Sequence, residues 1–335
     1  FLSRPMHNNS PNRLQNHVSV LKPFLLYITR KVLNPGRILY DLIDSHRLMY
    51  RIPMTHKPTM KPILKWAGGK RQLLPALRRY VPQDVREGKV SYLEIFVGGG
   101  ALVFDLAPDQ AVINDLNEEL INLYTVVRDS PSELIDELNA YPNNVDFYYD
   151  IRQLDRDREI YQSLTKIKRA ARMVYLNRTG YNGLYRVNRA GQFNVPFGKY
   201  KNPRIIDAEN IQEMSAYLNK PSIRILNLNY RDAAEYAHPG DFIYLDPPYD
   251  PLSESASFTS YQATGFDKDE QVRLKETCDR LTKNGVRFLL SNSSTDFIRD
   301  LYRDYILDTV SATRAINSNA SKRGPIQEVL VRNYD

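Results

Sequence analysis

The sequence predicts an α/β fold on a mainly parallel sheet, and three observations carry that prediction. From residue 61 onward, short runs rich in β-branched and aromatic residues alternate with helical stretches. The first two runs end on a glycine turn and on a carboxylate, and each leads directly into a helical pattern. One long stretch, residues 131–221, breaks the alternation. Strands linked through helices pair in parallel, because the crossover returns the chain to the end from which it started.

VSYLEIF (90–96) is the first strand, and it enters Gly98-Gly99-Gly100 and a helix. AVIND (111–115) is the second, followed by the helical NEELINLYTVV (117–127). IRILNL (223–228), DFIYLD (241–246), VRFLLSN (286–292), DYILDTV (304–310) and QEVLVRNY (327–334) complete the sheet, and the helix KDEQVRLKETCDRLTKN (268–284) joins two of them. Residues 61–140 and 222–335 therefore read as one sheet domain, whose site belongs at the carboxyl ends of the strands. Residues 141–221 read as an inserted, mostly helical lobe that contains a hairpin-like loop over 181–200. Residues 1–60 match neither part: they hold four of the five histidines and two short helical patterns, 18–33 and 37–50, split by Asn34-Pro35-Gly36. They read as an appended or poorly ordered extension, or as a basic arm that helps hold nucleic acid.

Composition narrows the function. The single cysteine, Cys278, rules out a disulfide framework and suits a reducing compartment. No apolar run approaches the ~20 residues of a membrane span. Net charge is +7. Residues 1–60 carry nine Lys/Arg against Asp41 and Asp44, so the remaining 37 bases and 37 acids cancel. Within that neutral part the charge is segregated: Ile160–Ile206 holds ten Lys/Arg and no acid. Such a stripe is either a polyanion-binding surface or a solvated helix face with a basic loop.

Three stretches can carry chemistry. In EIFVGGGAL (94–102) a strand feeds a glycine turn and a helix, which lets a ligand approach the backbone. The spacing is G-G-G-A, unlike the G-x-G-x-x-G of nicotinamide enzymes. Asp115, seventeen residues past Gly98, ends the next strand and suits a ribose diol, or else caps the following helix. KPILKWAGGKRQLLP (61–75) holds the only tryptophan, Trp66, with Gly68-Gly69-Lys70. Its spacing is not that of a P-loop; it offers either a stacking face and a cation for a zwitterion, or a buried Trp beside a helix start.

The third stretch is FIYLDPPYDPL (242–252), where an apolar strand stops on a carboxylate and stiffens. A nucleobase amino group is a poor nucleophile, because its lone pair is delocalised into the ring. Alkylating it demands alignment and acceptors for its hydrogens rather than a strong base. Asp246 can accept one N–H, the Pro247 carbonyl can accept the other, and Tyr249 can stack on an extruded base. Beyond residue 60 there is one histidine, His238, in a turn before Pro239-Gly240. This excludes a His/Cys zinc site and disfavours Ser-His or Cys-His nucleophilic catalysis.

With KWAGGK, FVGGG, NDLN and DPPY in that order, the chain resembles the DNA adenine-N6 methyltransferases of class D12, the Dam-type and DpnII-type enzymes that act at GATC. The resemblance runs from about Lys61 to Tyr334 and includes GYNGLYRVN, GQFNVPFGKY, LSESASFTSY and LSNSS. It implies a Rossmann-like methyltransferase sheet with S-adenosylmethionine as methyl donor and no metal. It puts Trp66, Lys70, Phe96, Gly98, Gly100 and Asp115 around the donor, with Asp246 between donor and base. Asp246, Pro247, Pro248 and Tyr249 would hold the target adenine. It makes the lobe a reader of double-stranded DNA: the Lys/Arg of KIKRAARMVYLNRT meet phosphates, Arg186 reads guanine, and Leu184 and Pro196 lie near thymine. Tyr181 and Asn182 support the opened stack, while Arg189 and Lys199 touch phosphate. Lys199 and Asn229 depart from the Arg and Asp usual in relatives. The resemblance further implies a cytoplasmic, monomeric, bacterial or phage-encoded enzyme without membrane association, with an independent GATC endonuclease as a candidate companion. RNA-adenine or cytosine-N4 methylation, a dinucleotide oxidoreductase and a catalytically silent DNA-binding module are the competing readings.

Overall fold

A computed structural model describes residues 60–66, 68–252, 266–313 and 325–335. The two helical patterns expected before residue 51, and all but the first residue of LSESASFTSY, lie outside the described residues.

All seven expected strands occur. Helices α1 (Leu74–Tyr80) and α2 (Gln83–Arg86) precede β1 (Tyr92–Glu94), α3 (Ala101–Leu106), β2 (Ala111–Asn114) and α4 (Glu118–Asp129). Helices α5 (Pro131–Asn139), α6 (Val145–Gln153), α7 (Arg158–Ser163), α8 (Lys166–Thr179) and α9 (Ala208–Leu218) follow. Then come β3 (Ile223–Leu226), α10 (Tyr230–Ala234), β4 (Phe242–Leu245), α11 (Lys268–Lys283), β5 (Arg287–Ser293), α12 (Asp296–Leu301), β6 (Ile306–Thr313) and β7 (Pro325–Arg332). The sheet order is β3-β2-β1-β4-β5-β7-β6. The first five strands are parallel, and β7 runs antiparallel to both β5 and β6. Strand order reverses between β1 and β4, the place where open α/β sheets leave a crevice beyond the strand ends. The register Leu93↔Ile243 and Glu94↔Tyr244 puts the end of β1 beside the end of β4.

The period of two sorts side chains to opposite faces. Tyr92, Ile113, Phe242, Tyr244 and Leu289 join one buried cluster with α3, α4, α8 and α9. Leu93, Val112, Ile243, Leu245, Phe288 and Leu290 join the other, with α10, α11 and α12. On α11 the buried residues Gln271, Leu274, Thr277, Cys278 and Leu281 recur at helical spacing, so one stripe faces the sheet. Cys278 is buried in that stripe.

The middle region packs closely on the helices of the sheet. The described residues form one compact unit, and α8 buries Ala170, Ala171, Val174 and Tyr175 in the cluster that holds Leu120, Leu123 and Tyr124 of α4. Two carboxamides tie the segment before α1 to this layer. Asn177 bonds both the N–H and the carbonyl of Lys65 at 2.8 Å each, and Asn210 bonds those of Lys61 at 2.7 and 2.8 Å. Two of the three arginines of α8 are committed to internal acids. Arg169 pairs with Glu118 and Glu119. Arg172 is buried, pairs with Asp155 at 2.7 Å, and donates to the Ile151 and Arg152 carbonyls. The stripe is acid-free in sequence, but acids outside it pair with Arg169, Arg172 and Arg204. Lys166 and Lys168 remain exposed.

Candidate active site

The turn after β1 is shaped by positions that cannot carry a side chain. Gly98 has φ 48°, and a Cβ there would stand 2.8 Å from the Trp66 ring. Gly100 has φ 66°, and its Cβ would strike the Phe104 ring at 2.2 Å. Both are left-handed conformations that glycine adopts without steric cost. Asn114, buried at the end of β2, donates to the Ile95 and Leu228 carbonyls at 3.0 Å each and accepts from Leu228 N–H at 2.8 Å. One carboxamide thus stitches the ends of three neighbouring chain segments. Asp115 next to it accepts from Gly98 N–H at 3.0 Å and Asn117 N–H at 2.9 Å. The helix cap is Asn117, whose side chain accepts from Glu119 and Leu120, so Asp115 is not the cap. Burial raises the Asp115 carboxyl above its ordinary range, opposed by those backbone donors.

Trp66 stacks on Tyr185, with ring centroids 5.1 Å apart and an interplanar angle of 21°. Phe96 stacks on Tyr230 at 5.3 Å. Asn229 caps α10 by accepting from Arg231 N–H at 3.0 Å. An asparagine oxygen fills that role as an aspartate would, so the departure at this position leaves the local backbone intact.

Asp246 directly follows β4. Its Oδ1 meets the Lys70 ammonium at 2.8 Å and accepts the Ser291 hydroxyl at 2.8 Å. Lys70 is buried, donates to the Gly68 carbonyl at 2.9 Å, and stands 4.5 Å from the centre of the Tyr249 ring. The Tyr249 hydroxyl donates to Glu328 at 2.7 Å. Burial, then the Asp246 charge, hold that phenol well above its usual range, so it stays neutral. The turn itself is fastened from behind. Gln271 donates to the Pro248 carbonyl at 2.9 Å and receives a bond from Asn292 at 3.0 Å. Asn292 accepts from Asp250 N–H at 3.1 Å, and Thr295 donates to the Asp250 carboxylate at 2.7 Å. Among the described residues, no protein donor reaches the Pro247 carbonyl.

Trp66, Lys70, Phe96, Gly98, Asp115 and Asp246–Tyr249 all border one cleft of ≈ 1830 Å³. Single small-molecule sites span roughly 300–1,000 Å³, so this cleft has room for a nucleoside-sized donor and a second ring system. Gly100 lies behind the wall and serves the turn. Of the residues expected to read DNA, only Leu184 borders the cleft. The others lie on a loop closed by antiparallel bridges, Gly180 with Phe197 and Val187 with Phe193, which is the expected hairpin-like form. Tyr181, Asn182, Arg186, Arg189, Pro196 and Lys199 are exposed on it. Asn182 and Lys199 both have φ 55°. Arg186 donates to the Asn194 side chain at 2.7 Å.

The sequence reading missed the supports. Ser291 and Asn292 belong to LSNSS but carried no role there, and Gln271, Glu328 and Glu94 went unnoticed. Glu94, at the end of β1, accepts from Tyr92 O–H at 2.6 Å and Val103 N–H at 2.9 Å. Burial pushes its carboxyl up to about 8, with a smaller upward push from Asp246. The available signal was polar residues ending strands that are otherwise apolar, as in VRFLLSN.

A Rossmann-like sheet, a glycine turn, and a carboxylate-proline-proline-tyrosine turn at the strand switch define the class of methyltransferases that act on amino groups of bases. The chain belongs to the D12 class N6 adenine-specific DNA methyltransferases, whose family description matches residues 66–316. It is 46% identical over 281 residues to the Type II methyltransferase M1.LlaDCHI of Lactococcus lactis subsp. cremoris, covering 83% of this chain and 97% of that protein. It is 40% identical to the Type II methyltransferase M.MjaIII of Methanocaldococcus jannaschii, covering 82% and 99%. It is 33% identical to the DNA adenine methylase of Escherichia coli K12, covering 81% and 94%. The protein is thus an adenine-specific DNA methyltransferase, and that membership implies S-adenosylmethionine as methyl donor. The described residues include no helix long and apolar enough to cross a membrane.

Proposed function

We propose that the enzyme methylates the adenine of GATC in duplex DNA. The observation that carries the chemical part is the position of Lys70. Its ammonium donates to Asp246 at 2.8 Å and lies 4.5 Å from the centre of the Tyr249 ring, the two partners that an extruded adenine would use. The target amino group displaces Lys70, gives one hydrogen to Asp246 and the other to the Pro247 carbonyl, and its ring stacks on Tyr249. S-adenosylmethionine supplies the methyl group from its sulfonium centre. The spare proton leaves to solvent afterwards. Ser291 holds Asp246 in place, and Glu328 holds Tyr249.

On the donor side, Gly98 and Asp115 present backbone and carboxylate for a ribose diol, and Phe96 with Tyr230 forms an aromatic wall. Trp66 and Lys70 line the same end. On the DNA side, residues 141–221 supply recognition: Arg186 reads guanine, Leu184 and Pro196 meet the thymine region, and Tyr181 and Asn182 support the opened stack. Arg189 and Lys199 contact phosphate. The carboxylate, its supports and the cleft come from one chain, in keeping with a monomer. A setting with an independent GATC endonuclease fits the Type II relatives.

The test is radiolabelled S-adenosylmethionine with two duplexes, one holding a single GATC and one with that site scrambled to GTAC. Label recovered as N6-methyladenine in the first alone is the expected result. Label in both would keep the chemistry and overturn the assigned site.

A further inference from the structure

Three arginines from distant parts of the sequence border the catalytic cleft: Arg71 just after the KWAGGK turn, Arg178 near the end of α8, and Arg204 before α9, with Arg71 and Arg204 close enough to act on the charge of Arg178. Arg178 is half-buried, it makes a long 3.4 Å contact with the Pro62 carbonyl, and its Nε has no partner among the described residues. Arg71 is exposed, and no hydrogen bond or ion pair reaches it among the described residues. Arg204 is 71% exposed and paired at 2.8 Å with Asp207, which also borders the cleft. Three cations therefore face one carboxylate. Desolvation lowers the Arg178 pKa, and the neighbouring charges of Arg204 and Arg71 lower it further against the opposing pull of Asp207. Fixed like charges held together at the mouth of a cleft are stabilised when an anion arrives.

We infer that Arg71 and Arg204, backed by Arg178, form a clamp for backbone phosphodiesters of the duplex that delivers the target base to Asp246. Arg71 and Arg204 were not named among the expected DNA contacts; Arg178 belongs to the α8 stripe expected to meet phosphates, whose Arg169 and Arg172 are committed to internal acids. Guanidinium groups suit this ligand, since their paired N–H bonds match two phosphate oxygens. Phosphate contacts position a duplex without reading it. The clamp should therefore add affinity equally on any sequence, and leave discrimination to the hairpin loop.

This inference rests on the cleft facing duplex DNA, and the experiment separates the two ideas. Fluorescence anisotropy of the whole 335-residue chain measures Kd for the GATC duplex and its scrambled counterpart across a range of salt, for the parent and for Arg71→Gln, Arg204→Gln and the double variant. Each lost contact should flatten the slope of log K against log salt by about one, and raise Kd about fivefold near 150 mM salt. Both duplexes should weaken alike. A parent that fails to bind either duplex would sink the DNA reading itself. Parent binding with unchanged slopes in the variants would overturn the clamp. A loss confined to the GATC duplex would also overturn it, by making these arginines base readers.

Discussion

The turn after β4 and the hairpin loop of residues 180–199, to which the proposed function gives catalysis and recognition, are built in opposite ways. The catalytic turn is held by side chains 20 to 80 positions away: Gln271, Asn292, Ser291, Thr295 and Glu328. Gln271, Ser291 and Asn292 are themselves buried, and Thr295 and Glu328 are partly so. The hairpin is closed locally, by Asn188 accepting from Ala190 and Gln192 N–H at 3.0 Å each. Phe193 and Val195 anchor one strand, where they are buried and Tyr148 donates to the Val195 carbonyl at 2.9 Å, and Tyr185 anchors the other by stacking on Trp66. Positioning an amino group requires acceptors fixed before the substrate arrives. Reading a groove requires side chains that remain in water until DNA displaces it. The difference teaches that burial of the supports, not of the reacting groups, separates a catalytic loop from a recognition loop.

The contrast can be broken most sharply at Asp246. Asp246→Ala should lower methyl transfer by about a thousandfold or more while duplex binding persists, since a fixed acceptor for the reacting group is lost. Single-turnover rates beside anisotropy measure both, and retained transfer would remove Asp246 from the chemistry. Asn292→Ala comes next, because it leaves Asp250 N–H and Gln271 without a buried partner. Each such group costs about 1–3 kcal/mol when orphaned, so the urea midpoint should fall together with activity. A variant that loses neither would show that the turn needs no rear support. Glu328→Ala should lower kcat by about tenfold through a loosened Tyr249, and Glu328→Gln should restore most of it, because a neutral amide still accepts the phenol. Equal loss in both variants would assign Glu328 a charge role instead.

On the hairpin the effects should be smaller and of another kind. Arg186→Ala should leave stability untouched and relax discrimination at guanine by about 1–3 kcal/mol, read as relative kcat/KM on single-substituted sites. Unchanged preference would move the guanine reader elsewhere. The last test concerns stability alone, at Glu94. Its carboxyl is raised from an ordinary value of 4.5 to about 8 by burial, so the folded state holds a proton that the unfolded state has released. Stability of the parent relative to Glu94→Gln should fall as pH rises from about 4.5 to about 8, and level off above that. Thermal melting across that range tests it; a flat difference would mean that Glu94 is ionised throughout.

The strands were legible because each is a short apolar run bounded by a turn, and their period of two sets the faces without help from the rest of the chain. DPPY and the glycine turn were legible for a related reason: they impose local backbone conditions that few residue types meet, such as the positive φ of Gly98 and Gly100. Asp115 was only half legible. Its place at the end of β2 followed from the pattern, but its cap role passed to Asn117 once the backbone donors of Gly98 came within reach.

What the sequence determined alone is the family, the sheet and the order of its chemical motifs, because each is written in consecutive residues. What only the tertiary structure decided is where charge is spent and where it is left over. Arg169 and Arg172 find their carboxylates on α4 and at Asp155, and Arg71, Arg178 and Arg204 meet across more than a hundred residues of chain. Coulomb energy depends on distance in space and on burial, neither of which can be read from position along the chain.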